Sequence, residues 1–312
     1  MNGRDLRATS PVEPPTLPTS DEPTLPPTTL LATRASMGPP ALSGARARRL
    51  MVRLGQRDLA VLSSLGQLRL LTTIQLQRLH MADGAPATQA RRARSLLRRL
   101  TELGVVVRLE RRVGGIRAGS AGQVYGLSGL GQAVLGVGGP LGRRRRTVWT
   151  TKPAFADHVL AVSELYVRLV EITRATTGDA ELLAFEGEPA CWRRLAGTGG
   201  QSIRLKPDAF VALGLGELEQ RAFIELDLGT ESLPTIAIKC QRYLAYYRSG
   251  QEQHDHGVFP RVWWLVPNER RLDGIARAVA RVARSAQALF TVALISDAPV
   301  LLTRLPDGGG PA

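Results

Sequence analysis

One stretch, Thr88 to Leu109, limits the folds open to this chain more than any other. Between Thr88 and the helix-ending Gly104, the residues Ala93, Leu96, Leu97, Leu100 and Leu103 recur at helical spacing and form one apolar stripe. Arg91, Arg94 and Arg98 fall at i, i+3 and i+7 on the other side, flanked by Arg92 and Arg99. A helix sorted this way lays its leucine face on a core and turns its arginines outward. Directly after Gly104, Val105-Val106-Val107-Arg108-Leu109 reads as a β-branched strand.

The neighbouring segments complete a small unit. Arg57 to Leu71 carries Leu59, Leu62, Leu65 and Leu70 at nearly helical spacing, and Thr72 or Thr73 can cap a short second helix with Ile74, Leu76 and Leu79. Gly84 and Pro86 then break the chain before the arginine-rich helix. After the strand come a glycine-rich tip (Gly114, Gly115, Gly119, Gly122), a return strand Gln123 to Leu127, and a closing helix that Ser128 can cap. Three helices, a ribbon carrying Arg111, Arg112 and Arg117, and a last helix predict a winged helix-turn-helix over residues 50–140.

Charge supports a polyanion partner. The chain of 312 residues has a formal net charge of +14. Residues 51–150 hold seventeen Arg against four acidic residues, a net +13, whereas residues 151–312 sum to −1. Neutralising phosphates releases counterions, so such a concentration suits double-stranded DNA, with Arg91, Arg92, Arg94, Arg98, Arg99, Arg111, Arg112 and Arg117 as its expected contacts. The alternative is a helix whose charged face is simply solvated, or which binds protein.

Residues 1–48, rich in Pro, Thr and Ser, are expected to be disordered. A basic linker is expected at 141–152, containing Arg143 to Arg146. No apolar run reaches the roughly 18 residues of a membrane span, and the N-terminus lacks the pattern of an export signal. A cytoplasmic protein with Cys191 and Cys240 reduced is the expectation.

From residue 153 to about 300 the pattern changes to an α/β one, so the fold class expected for the whole chain is α+β with a mixed central sheet. A helix from Pro153 to Arg174 is followed by strands at Glu181–Phe185, Ile203–Leu213 and Ala222–Leu228. A helix from Pro234 to Tyr247, a strand Val262–Val266, a helix Leu272–Ala286 and a strand Phe290–Ile295 complete the series. Strand periodicity places Glu225 and Asp227 on one face, and a hairpin brings Asp208 towards them. Three converging carboxylates repel unless a cation or proton intervenes, and oxygen-rich clusters suit Mg²⁺ or Mn²⁺. An acid network satisfied by Lys239 or by arginines is the other reading.

This order, with Lys206-Pro207-Asp208 and Glu225-Leu226-Asp227, resembles the PD-(D/E)xK nuclease superfamily. The resemblance implies Asp208 and Glu225 as its acids, with Glu164 on the opening helix. Asp227 stands where that pattern has its lysine, so Lys239 or Lys206 would have to supply the ammonium. Over residues 50–290 the chain resembles the replication-relaxation proteins of actinobacterial and other Gram-positive plasmids. That rests on the arginine-rich winged helix, the Lys206-Pro207-Asp208 strand, the run Glu225 to Glu231, and a helix carrying Lys239, Tyr243 and Tyr246. It implies a role in plasmid replication, maintenance or mobilisation, and the residues together read as a duplex-DNA-binding protein of a plasmid or integrated element with a degenerate nuclease-like domain. Other plasmid proteins, or a second copy of the chain, are candidate partners. The alternative is an active Mg²⁺-dependent endonuclease or nickase with Asp208, Glu225, Asp227 and Lys239 at its site. The tyrosines Tyr243, Tyr246 and Tyr247 are read as packing against the sheet rather than as nucleophiles. His254-Asp255-His256 is read as a solvated loop rather than a metal site, and His158 and Cys191 as structural.

Overall fold

Helix α1 (Pro40–Met51) opens the described chain and overlaps the end of the stretch expected to be disordered through residue 48. Ala47 and Leu50 are its buried residues, and their helical spacing is enough to dock it. The computed structural model describes residues 40–109, 122–138, 153–176, 180–196, 202–283 and 286–304. The expected wing tip with Arg111, Arg112 and Arg117, and the linker at 141–152, lie outside the described residues.

Helix α2 (Gln56–Leu68) leads into a short strand β1 (Leu70–Thr72) that the leucine pattern conceals within a helix. Helix α3 (Thr73–His80) starts on a reciprocal cap. The Gln75 amide N–H donates to Thr72 Oγ1 at 3.2 Å, and the Thr72 N–H donates to Gln75 Oε1 at 2.9 Å. Helix α4 (Pro86–Glu102) begins at its proline, two residues ahead of the expected Thr88, and buries Ala93, Leu97 and Leu100. Strands β2 (Val106–Leu109) and β3 (Val124–Leu127) pair antiparallel, and β1 joins them to give the order β1-β3-β2. Ser128 caps helix α5 (Gly129–Leu135), as expected. Gly131 on that helix lies so close to the sheet that a β-carbon there would meet the Val105 carbonyl oxygen at 2.2 Å.

Helix α6 (Pro153–Ala175) is followed by β4 (Glu181–Gly187), β5 (Arg193–Ala196), β6 (Ser202–Leu205), β7 (Ala209–Leu215) and β8 (Leu218–Leu226). Then come α7 (Leu233–Ser249), α8 (Gln251–His256), β9 (Arg261–Val266), α9 (Glu269–Val282), β10 (Phe290–Leu294) and α10 (Ala298–Leu302). The five-stranded sheet has the order β10-β9-β8-β7-β4. Its first two pairings are parallel and its last two antiparallel, so the central sheet is mixed and the chain is α+β. The strand expected over 203–213 is two strands. Pro207 has no N–H to donate, and the chain leaves the small β5–β6 ribbon there before joining the main sheet.

Strand alternation sorts the sheet's two faces. Val211, Leu213, Ile224, Leu226 and Leu265 pack towards α6, while Phe210, Phe223, Val262 and Trp264 pack with Tyr243, Ile236 and Ile275 of α7 and α9. The α6-side cluster does not stop at α6. It continues through Leu62, Leu65, Leu71, Leu76, Leu97 and Leu100 of the N-terminal elements. The described residues from 40 onward accordingly belong to one compact unit.

Polar contacts reinforce that junction. Ser163 Oγ donates to the Leu70 carbonyl at 2.8 Å, and Arg174 Nη1 to that of Leu79 at 3.0 Å. Arg78 on α3 is gripped by Glu164 at 2.6 Å and by Glu171 at 2.5 Å, both on α6. Among the described residues no helix is long and apolar enough to cross a membrane.

His80, at the end of α3, contacts Ser64 Oγ at 3.0 Å. Burial, with Arg174 and Arg57 adding to it, lowers its pKa to about 4. The unfolded chain therefore takes up the proton first, so His80 contributes stability above about pH 6.5 that is lost as pH falls towards 4. A shift of that size corresponds to at most roughly 3 to 4 kcal/mol. Urea denaturation of wild type and His80→Gln across this window should show a shallower decline for the variant. Parallel curves would rule the assignment out.

Candidate functional site

Pro207 ends the ribbon and sets Asp208 at the entrance to β7, where its N–H donates to the Ile224 carbonyl at 2.9 Å. The Asp208 Oδ2 accepts from the Leu226 N–H at 2.7 Å, and Oδ1 faces His158 Nε2 at 3.1 Å. The hydrogen bond to Asp208 raises the His158 pKa above its ordinary value against the lowering effect of burial. His158 is therefore part of this site and not merely packed in the core. The fold, not its local sequence, brings the first turns of α6 to the end of β7.

Glu225, on β8, points to the α7 side of the sheet and is 2% exposed. Tyr243 OH donates to its Oε1 at 2.7 Å, and Lys239 Nζ to its Oε2 at 2.9 Å. Lys239 also reaches Glu231 at 2.6 Å. Burial pushes the Glu225 carboxyl up, neighbouring Asp208 adds to this, and Lys239 and Tyr243 act in the opposite sense. Burial alone would lower the Lys239 ammonium, but Glu225 and Glu231 outweigh it and hold it above the usual range.

Asp208, Glu225 and Lys239 share a cleft of about 410 Å³, lined also by Glu188, Arg204, Leu205, Lys206 and Arg242. Glu188 and Arg242 were not singled out from the sequence. Glu188 also accepts from Arg69 at 3.4 Å, which brings the turn between α2 and β1 to the cleft's edge.

Asp227 takes no part in that convergence. The strand ends at Leu226, and the Asp227 Oδ1 accepts the N–H groups of Gly229, Thr230 and Glu231 at 3.0, 3.1 and 3.3 Å. Its Oδ2 accepts from Arg271 Nε at 2.5 Å. Asp227 builds the turn into α7 and anchors it to α9. Glu164 likewise faces α3 and not the cleft, held by Arg78 and by Gln75 at 3.0 Å.

Three ligands for Mg²⁺ or Mn²⁺ do not come together. Among the described residues no group of three His, Cys, Asp or Glu side chains is placed to hold a metal ion. Both oxygens of Asp208 and both of Glu225 already have protein partners. Of the three expected ligands only Asp208 and Glu225 line the cleft, and each is held by protein partners, as in the alternative of an internally paired acid network. Lys206 lies over the Trp192 ring at 4.9 Å, so Lys239 is the ammonium nearest the acids.

The arginine face of α4 divides into free and engaged residues. Arg99 is bound to the buried Asp58, Arg92 to Asp83 at 3.0 Å, and Arg98 lies 3.9 Å from Glu102. Arg91 and Arg94 are exposed and have no acidic partner among the described residues. The tyrosines pack as expected in part. Tyr243 and Tyr246 are buried, the latter with its OH on buried Glu252, while Tyr247 is 43% exposed. The expected loop His254-Asp255-His256 is the end of α8.

Residues 62–262 match the family described as replication-relaxation. The chain belongs to the replication-relaxation family. A search among curated proteins returns no match. Among solved structures, that of the restriction endonuclease FokI overlays 84% of this chain and 44% of its own at 8% identity and a TM-score of 0.26. The chain spans less than half the length of that enzyme, and likeness of this degree bears on neither fold nor chemistry.

In this replication-relaxation protein, Lys239→Met would leave Glu225 buried with Tyr243 as its remaining donor. An ionised carboxylate stranded in that way costs about 3 kcal/mol or more. A carboxyl whose folded pKa lies above the unfolded value favours the folded state at low pH. The loss should therefore grow as pH rises from 5 to 8, and Glu225→Gln added to Lys239→Met should recover part of it. Chemical denaturation measures both. Equal losses for single and double variants would show that the pair is not the contact that matters.

Proposed function

We propose that this protein binds duplex DNA, with the N-terminal elements acting as a winged helix-turn-helix whose α4 enters the major groove. The observation that carries the reading is the outward face of α4. Arg91 and Arg94 stand exposed and, among the described residues, without acidic partners, on the side opposite buried Ala93, Leu97 and Leu100. A guanidinium fork matches phosphate and guanine edges, and a helix fits the groove. Arg92 and Arg98 flank them with weak, exposed pairings that a phosphate can displace. Arg99 serves the fold, because it neutralises buried Asp58. Membership of the replication-relaxation family supports a role in plasmid replication, maintenance or mobilisation.

On this reading the C-terminal half is a nuclease-like domain without its chemistry. The protein partners on both carboxylates and the diversion of Asp227 support that. One observation favours cleavage instead, the Lys239 ammonium beside Glu225 in a cleft shared with Asp208. A supercoiled plasmid incubated with full-length protein and Mg²⁺ or Mn²⁺ separates the two. Retarded, intact plasmid is the expected result, and nicked or linear product absent from Asp208→Ala/Glu225→Ala would establish an endonuclease. In the same gels Arg91→Ala/Arg94→Ala should weaken retardation by about tenfold or more, with a shallower salt dependence. Unchanged retardation would remove α4 as the DNA-contacting element.

A further inference from the structure

The β5–β6 ribbon lies outside the main sheet and carries charge that the fold does not use. In its register Arg194 stands opposite Arg204, one step from the pair Arg193 and Leu205. Alternation puts Trp192, Arg194, Arg204 and Lys206 on one face, and Arg193, Leu195, Ile203 and Leu205 on the other. The second face is the inner one. Leu195 and Leu205 are buried there, and Arg193 lies over Phe210 and Phe223 with Glu186 and Glu252 as its acids.

The first face has no such compensation. Arg194, Arg204 and Lys206 are exposed, as is Arg242 of α7 on the same cleft, and none has an acidic partner among the described residues. Two arginines directly opposite on a ribbon repel each other, an arrangement that works against the fold. Arg204 and Lys206 lie over the Trp192 ring at 5.5 and 4.9 Å, and the buried indole Nε1 has no hydrogen-bond partner among the described residues. Unpaired cations set around an aromatic ring are the composition of a surface that tracks a nucleic-acid strand by its phosphates. The surface opens onto the cleft of about 410 Å³. That is the size of a site for a small ligand. On that size it takes a nucleotide or two of one strand rather than a double helix.

We propose that the outer face of the β5–β6 ribbon, with Arg242, is a second DNA-binding surface that holds a single strand by its phosphates and leads it into the cleft of Asp208 and Glu225. It rests on the duplex-binding reading only for the nature of the polyanion, since none of its residues belongs to α4. The strand bound here would be one released from the duplex, so the protein would hold paired DNA and unpaired DNA on different elements.

Fluorescence anisotropy of the full chain with a labelled oligothymidylate, across a series of salt concentrations, tests this. Arg194→Gln/Arg204→Gln/Lys206→Gln should bind about tenfold or more weakly and lower the salt slope by about 2, at roughly 0.7 for each phosphate no longer neutralised. Arg194→Lys/Arg204→Lys, which keeps the charge, should bind like wild type. Arg242→Gln, on a different element, should weaken binding in the same direction whether or not the ribbon variant folds. Arg91→Ala/Arg94→Ala should retain the oligothymidylate while losing duplex. Wild type that retards duplex but ignores the oligothymidylate, or a neutralised ribbon and Arg242→Gln that both bind it normally, would overturn the proposal and leave the α4 reading standing. Wild type that binds neither would overturn both.

Discussion

Helix α6 is buried on both sides, and the rest of the structure depends on that constraint. Val159, Val162, Leu165, Val167 and Leu169 are all buried, too many for one stripe, so the helix needs a partner on each flank. The five-stranded sheet covers one flank and the α2, β1 and α3 elements cover the other. Arg78 can be drawn down onto the helix because Glu164 and Glu171, seven residues apart, lie on the same side of it. The helix start, two turns earlier, is what presents His158 to Asp208.

Much of the fold was legible because its signals are local. Helix α4 is visible in its leucine spacing, and Thr72 and Ser128 announce the helices they cap. The misses have equally local causes. Strand β1 is only three residues long and its leucines continue the helical spacing of α2. The ribbon strand Arg193–Ala196 has alternation, but over four residues this is indistinguishable from a loop. Helix α8 contains no apolar residue. It exists because Glu252 is buried against Tyr246 and Arg193, a tertiary circumstance.

The candidate site was half legible for the same reason. Asp208, Glu225 and Lys239 meet as their sequence spacing suggested, since a hairpin and the helix after it bring them together. Asp227 failed the simplest test of period two because the strand stops one residue earlier, which frees its carboxylate to cap a turn. His158, Glu188 and Arg242 carry no motif of their own. They reach the cleft through packing between segments far apart in the chain, and nothing in their immediate neighbourhood records that. On α4 the pattern alone could not separate Arg99 from Arg94, although Asp58 is what makes one structural and leaves the other outward.

The shared core of α6 has a metrical consequence. Where two halves of a protein are joined by a tether, the offset between them is a distribution set by the tether's length. Here the offset from α4 to the cleft runs through Leu97, Leu76, Leu165 and Ile224, all side chains of one packed interior. The core therefore fixes the distance between α4 and the cleft, and changing that distance would require rebuilding the interior and not merely lengthening a loop.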